Sequence, residues 1–180
     1  MGNRAVITII EKKKYSVNDI LNGVGIYLHW NGSQNSIRNF LLYAKMHEYY
    51  HDDSYALARL TQLIANFFGG STSIGIDVVK HSDWTNMDNG VYVIGKNFEI
   101  REQMMFLEDW RNPLIHEVKS IREQFKQGLI KKEVIPFEGY NEEEDMTFLE
   151  EINSSQPVEE QLPIREMYND LMKIYKKKNA

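Results

Sequence analysis

Apolar and polar positions along the chain repeat with two periods, and each period marks an element. "RAVITII" over residues 4–10 is a β-branched run closed by charges and predicts a strand. "EKKKYSVNDILN" is a polar connection, and "GVGIYLHW" over 23–30 predicts a second strand. Ile37, Phe40, Leu41 and Ala44 recur at i, i+3, i+4, i+7 and predict a helix to about Tyr50, with Ser33 or Asn35 as its cap. "DDS" over 52–54 breaks that run and caps a second helix over about 55–68. Its wide apolar face is Leu57, Leu60, Ile64, Phe67 and Phe68, and Gly69-Gly70 stops it. "STSIGIDVV" predicts a third strand, and "VYVIG" with "FEIRE" predicts a hairpin around Gly95-Lys96-Asn97.

Further along, Asn112-Pro113 opens a helix with Leu114, Val118, Ile121 and Phe125 on one face, ended by Gly128. "IKKEVIPFEGY" reads as a linker or edge strand, and "DMTFLEEIN" as a short helix. Pro163 opens a last helix striped by Ile164, Met167, Tyr168, Leu171, Ile174 and Tyr175. The expected fold is α+β: a small, mostly antiparallel sheet with two helices inserted after strand two, and a helical C-terminal third. The expected organisation is an α+β core domain over 1–102, a helical extension over 103–132, an acidic arm over 133–164 and a C-terminal helix over 165–180.

Composition changes this picture in two ways. Cysteine is absent from the 180 residues, which excludes disulfide staples and thiolate metal sites. The opening "MGNRAVITIIEKKK" has no secretory pattern and no stretch approaches the ~20 apolar residues of a membrane span, so a cytoplasmic protein with no membrane partner is expected. The net charge of -5 is uneven. Residues 133–164 hold ten acidic residues and no Lys or Arg, leaving 21 basic against 16 acidic residues elsewhere. Such a block is either a solvated, poorly packed segment or an arm that docks on a basic partner through Glu142, Glu143, Glu144 and Asp145.

Two groups of residues are candidates for chemistry. "HEYYH" over 47–51 matches the zinc-protease pattern, which needs both imidazoles on one helical face and a third ligand. Here the pair ends its helix, and Asp52 and Asp53 are too close in sequence to complete the site, so an exposed helix end and no metal are expected. The other group lies at strand ends. Alternation sends His29 and Trp30 to opposite faces, with Trp30 expected in the core and His29 in a cleft. His29 with Asp77 could do acid–base work or bind a divalent ion. Arg4, Trp30, Asn31, His81, Asp88 and Asn89 would bind the ligand, with Asp83 nearby; no other cofactor is implied. The alternative is a strand-end histidine with no role beyond packing.

"GNRAVIT", "GIYLHWNGS", "NFFGGSTSIGID" and "DNGVYVI" together resemble a family of small, mostly uncharacterised proteins from phages and mobile elements of Gram-positive bacteria. The resemblance covers residues 2 to 100. It implies an anti-defence, anti-CRISPR-like accessory protein that binds a host defence protein or its RNA complex, inhibiting a nuclease or guide-RNA effector, with RNA processing as an added option. Two alternatives stand beside it. One is a small His/Asp-dependent phosphodiesterase or nuclease. The other is a nucleotide-signal binding protein in which Arg4, His29 and Trp30 grip phosphate and base.

Overall fold

The structure is a computed structural model that describes residues 3–51, 55–70, 72–82, 88–108, 111–117 and 121–178. The chain is α+β and divides into two units. One is Met1–Ser33 with Gly75–Phe137, and the other is Gln34–Ile74 with Glu138–Ala180. Each unit is therefore built from two stretches of chain, unlike the consecutive blocks expected from the sequence.

The first unit is a six-stranded sheet in the order β3-β2-β1-β4-β5-β6. Its strands are β1 (Ala5–Ile9), β2 (Val24–Leu28), β3 (Ile74–Val78), β4 (Val91–Ile94), β5 (Ile100–Glu108) and β6 (Ile130–Ile135). β1 runs antiparallel to β2 and parallel to β4, while β4–β5 and β5–β6 are antiparallel. On one face Val6, Val91, Val93, Met104, Phe106 and Ile130 form a core with Ile20 and Leu21 of α1 (Val17–Leu21). The alternate residues Ala5, Ile7, Tyr92 and Ile94 are buried as well, so the central strands read as unbroken apolar runs.

Three sequence expectations change here. The polar connection after β1 contains α1, held by a capping box in which the Ser16 and Asp19 side chains each bond the other's backbone N–H. The helical extension expected over 103–132 begins as strand, because β5 continues to Glu108 and pairs along its length with β6. Within that stretch α4 (Leu114–Glu117) starts after Asn112, whose side chain accepts the Leu114 N–H at 3.1 Å, and α5 (Ile121–Lys126) ends before Gly128. Leu114 is exposed, and Val118 lies outside the described residues.

The second unit is helical: α2 (Gln34–Met46), α3 (Ala56–Phe67), α6 (Glu142–Ser155) and α7 (Ile164–Lys178). The stripe Ile37, Phe40, Leu41 and Ala44 is buried as its spacing predicts. α6 contributes Met146, Leu149 and Ile152, and Phe40 meets Phe67 and Phe148 edge to face at 5.2 and 5.5 Å, while Phe67 and Phe148 lie tilted at 5.3 Å. The acidic segment is thus not an unpacked arm: α6 occupies its middle, capped by Asn141.

Candidate functional site

Strand register decides which of the sequence-predicted residues meet. Ala5 lies opposite Leu28, so Arg4 stands beside the point where β2 ends and His29 begins. Val6 lies opposite Val91 on the parallel strand β4, which brings Asp88 and Asn89 to the same end of the sheet. There the Arg4 N–H donates to the Asp88 carboxylate at 3.1 Å, and the guanidinium Nε approaches it to 3.6 Å. The Asn89 N–H donates to the Arg4 carbonyl at 3.0 Å, and its side-chain amide donates to Asn3 Oδ1. The Gly32 N–H donates to the Asn3 carbonyl at 2.7 Å, and Tyr92 Oη donates to the Gly32 carbonyl at 2.8 Å. A Cβ on Gly32 would lie 2.7 Å from that Asn3 oxygen, so no other residue fits the close approach. Gly90, at φ 65, would place a Cβ 2.0 Å from the Met104 carbonyl. These residues come from separate stretches of chain, and together they lock the sheet end.

His29 and Trp30 sit on the outside of that knot, and both are exposed. The indole, 43% exposed, meets the His29 imidazole edge to face at 4.8 Å, and Tyr27 Oη is 3.1 Å from His29 Nδ1. This corrects the expected placement of Trp30 in the core and His29 in a cleft. The strand stops at Leu28 and Asn31 takes φ 55 to turn the chain toward α2, so the alternation that would separate the two rings has already lapsed.

Asp77 and His81 belong to the other end of the sheet. β3 runs counter to β2: the Val79 N–H donates to the Gly23 carbonyl at 2.9 Å, and the Asp77 carbonyl lies against Gly25. Asp77 is four positions along from the residue facing His29, about 13 Å at about 3.3 Å per residue. The expected His29–Asp77 pair is therefore not assembled. Asp77 instead accepts the Val78 N–H at 2.6 Å and faces His81 Nδ1 at 3.3 Å, in that order of strength holding its carboxyl below the usual range. Asp83 lies outside the described residues.

The "HEYYH" motif is not helical. α2 ends at Met46, Glu48 takes φ 57, and Tyr49–His51 form a 3₁₀ turn, so the two imidazoles do not share a helical face. His47 stacks on Tyr49 at 4.7 Å, and burial pushes its imidazole pKa down. Among the described residues no three His, Asp or Glu groups are placed to hold a metal ion.

The acidic residues divide. Glu142, Glu143 and Glu144 are exposed, but Asp145 is fully buried and cannot meet a partner. It accepts hydrogen bonds from Arg38, from the Asn39 amide at 3.0 Å and from the Tyr168 hydroxyl at 3.2 Å. Arg38, 5% exposed, also donates to the Gly139 carbonyl and to Asn35 Oδ1 at 2.6 Å. Burial, with the Asp145 charge added, pushes the Tyr168 hydroxyl pKa up. Sequence reasoning missed this network; its signal was an Arg and two Asn within a run of apolar helix positions.

The fold and surface define a two-unit α+β protein with a locked sheet end and an acidic helix. No protein-family model, curated protein or solved structure matches the chain.

Proposed function

We propose that this is a binding protein whose acidic helix docks on the basic surface of a nucleic-acid-handling partner. The specific form is an anti-defence accessory protein that inhibits a host guide-RNA nuclease effector. The carrying observation is the mounting of α6. Asp145 turns inward onto Arg38, while Glu142, Glu143, Glu144, Glu150 and Glu151 stay in water without an ion pair among the described residues. The helix spans about 20 Å at about 1.5 Å per residue, the reach of about six phosphates of one duplex strand. Carboxylates fixed at that spacing can compete for a site that takes a phosphate backbone. The resemblance of residues 2 to 100 to phage and mobile-element proteins supports the anti-defence setting. No helix among the described residues is long and apolar enough to cross a membrane.

The test is co-elution with a purified, guide-loaded effector. Affinity should fall at least about tenfold between about 50 and 200 mM salt, since released counterions and screening oppose charge pairing. Changing Glu142, Glu143 and Glu144 together to Gln should weaken binding without altering the melting curve. Binding that ignores both salt and the triple change overturns the reading.

A second reading has one observation behind it: Arg4, His29 and Trp30 share a sheet end, as a nucleotide grip requires. Cyclic nucleotides that raise the melting temperature, and lose that effect in Trp30→Ala, would favour it.

A further inference from the structure

The six-stranded sheet has two margins, β3 and β6, and the chain treats them differently. On β3 the Val79 N–H bonds inward to Gly23, so the Val78 N–H points outward. The Asp77 carboxylate accepts that outward N–H at 2.6 Å and blunts the margin. β6 has no such cover. It pairs with β5 from end to end, and none of its backbone groups bonds anything on the far side among the described residues. Alternate residues of an antiparallel strand aim their N–H and C=O at each neighbour, so β6 presents a row of donors and acceptors ready for another strand. Val134, 53% exposed, stands on this margin with Lys131, Lys132 and Glu133, which are exposed as well.

The order of these residues names the occupant. Lysines on a margin ordinarily repel a second strand. "IKKEVI" differs, because it complements a reversed copy of itself. A two-fold axis normal to the sheet keeps each side chain on its own face, so two antiparallel copies meet about one central residue that opposes itself. Centred on Lys132, each Lys131 faces Glu133 of the second copy, and each Ile130 faces Val134 of the second copy. Both ion pairs lie on the face away from Lys132. The two Lys132 side chains oppose each other, but each brings its own counter-charge, since its Nζ donates to Glu102 at 3.0 Å. Centring on Glu133 sets that carboxylate against itself and Lys131 against Ile135. Centring on Lys131 sets that lysine against itself and Ile130 against Lys132. Neither alternative makes an ion pair.

We propose that the chain forms a symmetric dimer by pairing β6 with β6 of a second copy, centred on Lys132, so that one sheet runs through both. The proposal is independent of any docking by α6. A contact of one short strand pair is small, so the dimer is weak, with a Kd on the order of 10 μM at about 50 mM salt, read by sedimentation equilibrium of the full chain. Lys131→Glu alone, or Glu133→Lys alone, turns both ion pairs into like-charge pairs and should raise the Kd at least about tenfold. An equimolar mixture of those two variants restores both pairs and should associate within about threefold of the unchanged chain. The chain has no cysteine, so one introduced thiol reports the register. Lys132→Cys sets two thiols across the axis, within the roughly 4.4–6.8 Å Cα separation of a disulfide, and should cross-link in a glutathione redox buffer. Val134→Cys keeps both ion pairs but sets its thiols four residues apart, about 13 Å along the strand, and should not cross-link. A chain that stays monomeric at about 300 μM, some thirty times that Kd, overturns the proposal and leaves the margin to a strand of another protein. So does a mixture no tighter than its two parts, or cross-linking through Val134→Cys in place of Lys132→Cys.

Discussion

Trp30 holds its indole in water on the edge of an imidazole, and Asp145 holds a carboxylate out of water beneath a guanidinium. The two invert the usual placement, and each has a measurable consequence. Trp30→Ala should cost less than about 1 kcal/mol in denaturant unfolding, where a buried aromatic would cost about 3–5. Asp145→Ala should cost about 3–5 kcal/mol, because it strands the buried Arg38 charge. Adding Arg38→Met to that variant should recover part of the loss, and a double variant no more stable than the single one would show that the pair is not what holds the helices. Both placements were hard to read in sequence for a physical reason. Side-chain alternation is a property of extended backbone, and it ended one residue before His29. A buried ion pair has no signature in either partner alone, since each is an ordinary surface residue until the other arrives from 107 positions away.

At the scale of elements, the strands and helices with a sustained period were legible: β1, α3, the β4–β5 hairpin and α7 stand where the pattern put them, and α2 does so up to Met46, short of the expected end near Tyr50. α1 was missed because five residues are too few to show a helical period. What sustains it is its cap. Ser16→Ala should cost about 1 kcal/mol, read as a shift in the denaturation midpoint. The same cap gives a pH dependence. Backbone and side-chain bonds from Ser16 and Lys12 lower the Asp19 pKa to about 2. Asp19 binds its proton more weakly folded than unfolded, so its contribution is full above about pH 4 and fades as pH falls toward 2. Ser16→Ala should flatten that part of the acid-unfolding curve. The end of β5 was misread for a different reason: "QMMFL" is an apolar run without a period, equally fit for a buried strand or a helix, and only its pairing with β6 decides.

For the whole molecule, the sequence carried the α+β class but not the way the units are threaded. The helical unit takes α2 and α3 from one stretch and α6 and α7 from another, with sheet residues between. A local reading divides a chain into consecutive blocks, and packing between distant stretches leaves no mark on the period of either. A chain ending at Phe137 removes Met146, Leu149 and Ile152 from the helical core. Its amides over residues 34–68 should lose slow hydrogen exchange, and slow exchange retained there would show that α2 and α3 stand alone. The Arg38–Asp145 pair carries this threading into time. At about 5–20 residues per second of synthesis, Arg38 is made about 5–20 seconds before the carboxylate that neutralises it. Through that interval a nascent helix made for burial carries a charge that keeps it wet, and so holds back its own premature collapse.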